Sequence, residues 1–321
     1  MLLIFNIFII ILRRLLFILF ILESMCAPAT TLSAKENGVA VAPSKHAVPS
    51  GFARRKNDIL FGMLLQIVVS GFAYWFQKTE AYFTPAEQYC ADHDERAGEP
   101  CTRPDLFGFQ CAAGMMLAYL GIKGFTAWHV TKNAHNKIPS TPVGRIFGFL
   151  PEGDDVNVAI FCWQVWDFIC SSLIPELSHP LFLAHHALAG LTAYLSLEYQ
   201  YVHHYAVFFG GCSEFSSIFL VLVDFAKFFP AKSGTNYGSV ILGCQVSFAL
   251  AFFCYRVVGW IWVSLNLWSD AREVLKDGKA DILRPGKTFV LYMFLALDAV
   301  LGTLQVYWFY LIASKAVEMF S

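Results

Sequence analysis

Charge is what this sequence has least of. Asp, Glu, Lys and Arg make up only 15% of its 321 residues, against about 25% in an ordinary soluble domain. No cluster of Lys and Arg is long enough to track a phosphate backbone, which excludes nucleic acid as a partner. The net charge of −1 points to no partner of either sign. The nine cysteines contain no C-x-x-C pair, so the usual structural zinc patterns are excluded. Cys162, Cys170, Cys212, Cys244 and Cys254 lie inside apolar runs, where cysteine behaves as a small hydrophobe. Cys90 and Cys101 stand in a polar loop and would pair if that loop faces an oxidising lumen. Neither a metal nor a cofactor is expected. An N-x-S/T sequon is absent as well.

Apolar surface takes the place of charge. Hydrophobic residues reach 57% and aromatics 16%, with 31 Phe among them, side chains that suit lipid contact and interfacial anchoring. Residues 1–29 are apolar but interrupted by Arg13 and Arg14, and Ala27 and Ala29 flank Pro28. This segment reads as a cleaved signal peptide or as an uncleaved signal anchor. Residues 30–54 read as a polar linker. Seven apolar segments follow, at roughly 59–77, 108–127, 157–174, 181–198, 205–224, 238–267 and 287–314, and a short tail closes the chain at 316–321. About 20 residues at 1.5 Å each cross a hydrocarbon core of about 30 Å. Backbone groups in lipid must be satisfied within their own segment, so the spans are helices. The fold class is therefore all-α, a polytopic membrane bundle of about seven transmembrane helices. A retinal protein is excluded, because Lys287 and Lys315 only bracket the last span. The glycines Gly210 and Gly211 allow close helix approach.

The informative residues are ionisable groups inside the apolar runs. A charge at the bilayer centre costs at least about 2.5 kcal/mol, so it faces the bundle interior and has a partner. Asp167 lies halfway along the third run, Glu214 at similar depth in the fifth, Arg256 midway along the sixth and Asp298 centrally in the seventh. Arg256 requires a carboxylate, and Glu214 and Asp167 are depth-matched candidates, with Asp298 a third. His185 and His186 open the fourth run. Adjacent helical side chains point about 100° apart, so one imidazole can face a cavity while the other is held by a hydrogen bond. A second pair, His203–His204, reads as a solvated interfacial loop, and Asp224 with Lys227 as interfacial anchors.

The order of landmarks then becomes recognisable. Trp166–Asp167 is followed by His185–His186 and by Glu214 with Ser216 and Ser217. Phe252, Phe253 and Arg256 come next, and Leu304, Gln305, Tyr307, Trp308 and Phe309 close the series. Over about residues 55–315 the chain resembles the TLC-domain family, which includes ceramide synthases. The resemblance implies a helical bundle around a central cavity, in the endoplasmic reticulum membrane. The HH of ceramide synthases is kept as His185–His186. The second half of their signature departs: Ser216 and Ser217 fall where HD stands in that family, Leu220 at its second Asp and Asp224 at its Glu.

Two functions follow from the resemblance. The first is acyl transfer from acyl-CoA to an amine such as a sphingoid base, with His185 or His186 as base or acyl carrier and Glu214 orienting it. Trp166, Asp167, Ser216, Ser217, Arg256 and Asp298 would bind substrate. The second is non-enzymatic: membrane lipids are bound, or membrane composition regulated, through the same cavity. Topology adds a tension. Eleven Lys and Arg flank the linker side of the spans (Arg54, Arg55, Lys56, Lys132, Lys137, Arg145, Arg272, Lys276, Lys279, Arg284, Lys287) and six the other (Lys78, Arg96, Arg103, Lys227, Lys232, Lys315). Positive charge stays cytosolic, which places the HH end at the lumen, whereas the resemblance implies the cytosol.

Overall fold

The computed structural model describes residues 51–90, 101–230, 237–276 and 278–320. The expected targeting segment at 1–29 and all but the last residues of the linker lie outside them. Seven helices among the described residues are long and apolar enough to cross a membrane. They are α1 (Lys56–Glu80), α2 (Pro104–Val130), α3 (Pro151–Leu173), α4 (Pro180–Tyr199), α5 (His203–Phe228), α6 (Tyr237–Lys276) and α7 (Thr288–Glu318). Each coincides with one of the seven apolar segments.

Local chemistry sets the boundaries. Proline opens α2, α3 and α4, where its missing N–H costs nothing and its fixed φ suits a first turn. Helix α3 starts six residues before its apolar run, because Glu152 and Asp154 occupy the first turn, where the helix dipole favours carboxylates. Helix α4 ends at Gln200 in the left-handed region, and Val202, also left-handed at φ 53°, turns the chain into α5. A β-branched residue there is strained; the turn is held by Val202 N–H donating to Ile146 O at 2.7 Å. At 40 residues, α6 is about 60 Å long and far exceeds the bilayer core. The helix of the last span runs on to Phe320, so the tail at 316–320 continues it.

Helices α2 to α7 close a ring: α3 packs on α4, α4 on α7, α7 on α6, α6 on α5, α5 on α2 and α2 on α3. Helix α1 lies outside it against α2 and α3, presenting Leu60, Leu64, Ile67, Phe72 and Trp75 outward as a lipid-facing helix does. Helices α2 and α5 cross closely. A Cβ on Gly124 would land on the backbone of Gly211 and Cys212, so close approach requires glycine on both helices there.

Polar clamps join the loops on each face of the ring. On one face Arg54 and Arg55 bond the fully buried Asp154 at 2.9 and 3.1 Å, Lys123 reaches Asp155 at 2.8 Å, and Arg145 holds Asp270 bidentately through its Nε and Nη2. On the other face the buried Arg103 bonds Glu176, Asp105 and Tyr89 O. Beside it Cys90 and Cys101 form a disulfide. This is the face from which α4 starts, and His185 lies five residues into that helix.

The second histidine pair corrects the expectation of a solvated loop. His203 and His204 are 0% and 5% exposed. His204 Nδ1 meets Ala134 O at 2.7 Å, and its ring packs against Trp128, His135 and Tyr205. The connection 131–150, with its short helices Asn133–Asn136 and Pro142–Phe147, folds inward over the pair and removes it from solvent.

Candidate functional site

Helices α3 to α7 surround an elongated, narrow and partly open cavity of about 80 Å³. On α4 its wall runs from His185 to Ser196, about 16 Å along the bundle at 1.5 Å per residue. Ile160, Ala189, Phe209, Leu267, Phe294 and Leu301 make much of the wall apolar. His185, Gln164, Glu214, Arg256 and Gln305 line it towards the disulfide face, and the neutral polar residues Asn157, Thr192, Ser196 and Tyr205 line it towards the other.

Two irregular turns put the central ion pair in place. Residues Val207–Gly211 of α5 form a π turn, followed by a 3₁₀ turn at Cys212–Glu214 that ends on the acid. Residues Phe252–Gly259 of α6 form a π segment with Arg256 inside it. Such bulges re-aim side chains that a regular helix would carry elsewhere. Arg256 Nη2 donates to Glu214 Oε2 at 2.6 Å and to Ser217 Oγ at 2.8 Å. Its Nε donates to Ser216 Oγ at 3.0 Å and Ser213 O at 3.2 Å, and its Nη1 to Gln305 Oε1 at 3.3 Å. Ser217 Oγ donates to Glu214 Oε2 at 2.7 Å. Both side chains of the ion pair are 8% exposed, so solvent screens the pair little.

Of the three carboxylates open to Arg256 from the sequence, the fold selects Glu214. Asp167 instead faces His186: its Oδ2 lies 3.3 Å from His186 Nε2, while Ser171 Oγ donates to its Oδ1 at 2.7 Å. Asp298 is satisfied by neutral donors, accepting from Trp260 Nε1 at 3.1 Å, Ser264 Oγ at 2.8 Å and Trp268 Nε1 at 2.9 Å. Both oxygens of this buried carboxylate are therefore bonded, as its depth requires.

The two histidines of the HH pair divide the work as helical geometry allows. His185 lines the cavity, its ring edge-on to Trp308 at 4.9 Å, and its Nδ1 is buried without a hydrogen-bond partner. His186 turns to α3, where its Nδ1 meets Gln164 Oε1 at 2.7 Å. Glu214 gives its carboxylate to Arg256 and Ser217 rather than to a histidine. Among the nine residues singled out from the sequence, His185, Glu214, Arg256 and Asp298 line the cavity. Ser216 and Ser217 support Arg256 from behind, Asp167 and His186 pair between α3 and α4, and Trp166 keeps a buried Nε1 without a partner.

Gln164, Trp260 and Tyr205 line the cavity too and were not singled out, while Gln305, also in the wall, entered only as a family landmark. Gln164 and Gln305, 3% and 0% exposed, carried a signal, since an amide in an apolar run needs a partner for the same reason a charge does. Among the described residues no group of three His, Cys, Asp or Glu is placed to hold a metal ion. Chemically, the site offers an acceptor or donor at His185 Nδ1, a spare amide donor at Gln305 Nε2 and a neutralised ion pair, at one end of an apolar shaft.

A family model described as the TLC domain matches residues 154–314, half of the chain, from the first turn of α3 through most of α7. No curated protein and no solved structure matches the chain.

Proposed function

The chain belongs to the TLC-domain family, and from that premise we propose that it takes an acyl lipid into the cavity between α3 and α7, with the lipid's polar group at the His185–Glu214–Arg256 end. The observation that carries this reading is the pairing of a buried, charged cluster with a long apolar shaft inside a membrane bundle. A ligand that fills both needs an apolar tail and a head that exchanges hydrogen bonds, which is the chemistry of a lipid. His185 Nδ1 and Gln305 Nε2, both buried without partners, are the groups such a head would satisfy; an unmet buried polar atom costs about 1–3 kcal/mol.

One observation favours a second reading, acyl transfer. An imidazole nitrogen free of partners at the wall of a cavity is placed to act as a base. An amine nitrogen would bond to the carbonyl carbon of an acyl thioester while His185 takes the proton that the amine loses. The carbon–sulfur bond then breaks, and the thiol leaves with that proton. By family resemblance the donor would be acyl-CoA, the acceptor a sphingoid base and the host the endoplasmic reticulum membrane. Here the Arg256–Glu214 pair would fix the pocket's shape and charge balance.

Lipids extracted from the purified chain test the first reading. A defined acyl lipid should copurify, and it should be lost from the Arg256→Gln variant; no lipid on the wild-type chain would sink it. Lipidomics of cells expressing wild type or the His185→Ala, His186→Ala double variant tests the second. A change in N-acyl lipids lost in the variant supports transfer, and a change retained in the variant leaves binding alone.

A further inference from the structure

The lipid-binding reading needs a route into the cavity. At the opposite face Tyr205, part of the cavity wall, donates through its hydroxyl to Asp270, which Arg145 clamps in turn, so a bonded chain of side chains spans that end. The polar end sits on the face that carries the Cys90–Cys101 disulfide. Disulfides persist in oxidising compartments, and the charge bias of the loops assigns this same face to the lumen. Both features point away from entry out of cytosolic water.

A second concavity lies on the outside of the ring, between α3 and α4. It is lined by Phe161, Phe168, Ile169, Leu191 and Tyr194, with Gln164 and His186 at its base. Phe168, Ile169, Leu191 and Tyr194 are 37–47% exposed and lie within two spanning helices, where acyl chains cover them. Gln164 belongs to the walls of both this groove and the inner cavity. One side chain, bonded to His186 at 2.7 Å, is thus the partition between lipid outside and the cavity inside. Across from it stands Gly190, where α4 has no side chain to widen the partition; a Cβ there would lie 3.4 Å from the Cβ of Gln164.

We propose that the groove between α3 and α4 is a lateral entry site for the acyl chain of a bilayer lipid, and that the Gln164–His186 hydrogen bond is the latch between it and the cavity. This rests on the lipid-binding reading and adds the source and path of the ligand. His186 then serves as a positioning residue of the seam, while His185 meets the lipid's head. Parting α3 from α4 at this level exposes the latch to the tail of a lipid already seated in the groove, so that no polar group has to cross open hydrocarbon alone.

The seam can be locked. The 3.4 Å Cβ separation of Gln164 and a side chain at 190 lies within about 0.1 Å of the short edge of the range that a disulfide spans, about 3.5–4.5 Å, so a slight parting of the helices admits the bond. The full chain, carrying Gln164→Cys with Gly190→Cys, is placed in phosphatidylcholine nanodiscs containing a phosphatidylcholine with a diazirine on its acyl tail, irradiated, and mapped by mass spectrometry. In wild type, adducts are expected both on groove residues such as Phe168 and on cavity residues such as Phe294. In the oxidised variant the groove adducts should persist while cavity adducts fall by roughly tenfold, and reduction should restore them. Wild type with and without reductant controls for the native disulfide, and recovery on reduction excludes misfolding. Cavity labelling unchanged in the locked variant would overturn lateral entry while leaving lipid binding intact. Absence of cavity adducts in wild type would overturn the binding reading, and the portal with it.

Discussion

Glu214→Ala is the perturbation with the clearest consequence. It leaves the guanidinium of Arg256, 7% exposed in mid-membrane, without the carboxylate that pairs it at 2.6 Å, and an unmatched buried charge of this kind costs about 3–5 kcal/mol. Arg256→Met should cost a similar amount, since it strips the buried Glu214 carboxylate of its cation and Gln305 Oε1 of a donor. The double variant Glu214→Ala, Arg256→Met removes both charges and leaves only neutral groups short of a partner. Its cost should fall short of the sum of the singles by about 2–3 kcal/mol, the scale of coupling between contacting groups. The assay is reversible unfolding of the purified chain in mixed micelles, followed by circular dichroism as a denaturing detergent is titrated. Lys315→Ala serves as reference, because its pair with Glu318 is 72% and 65% exposed and should leave the transition where it is. Additivity of the two singles within about 0.5 kcal/mol, or a Glu214→Ala transition as unmoved as the reference, would refute the buried pair and with it the polar end of the cavity.

Gly124→Ala should prevent close packing of α2 on α5 and abolish the folded monomer in size-exclusion chromatography. Gly71→Ala, where an added Cβ meets nothing within 4 Å, should be neutral or raise helix stability by up to about 1 kcal/mol. Ser178→Cys, in the exposed connection beside the disulfide face, should resist a membrane-impermeant maleimide in sealed microsomes and react after permeabilisation; labelling of intact vesicles would place that face in the cytosol. The hydrogen bond from Arg103 holds the Glu176 carboxyl below its ordinary value of 4.5. A depressed folded-state pKa contributes stability that is present above that value and is lost as pH falls through the lower one. The stability gap between wild type and Glu176→Gln should therefore narrow as pH drops below about 4.5, and a gap constant with pH would break the link.

The seven spans were legible because hydrocarbon thickness imposes a run length that few other structures need. That Arg256 must be paired was legible for the same reason, since lipid does not tolerate a lone charge. The choice among Glu214, Asp167 and Asp298 was not, because helical depth fixes only one coordinate. Rotation about each helix, reset here by the π turns of α5 and α6, fixes the other. No residue pattern announces those turns: the glycines at 210 and 211 signalled close approach without saying that the helix would change its winding. His203 and His204 stood at the edge of an apolar run, where sequence position reads as interface, and the inward fold of residues 131–150 buried them.

Composition and periodicity alone thus determined a membrane bundle with ionisable groups in its interior, since the solvent in which a chain folds filters what each segment can be. Only tertiary structure decided which charge meets which, which histidine faces the cavity and where α3 and α4 leave a seam. Those outcomes depend on distances between helices far apart in the chain, set by glycine contacts and irregular turns whose effect exists once the neighbouring helix is in place.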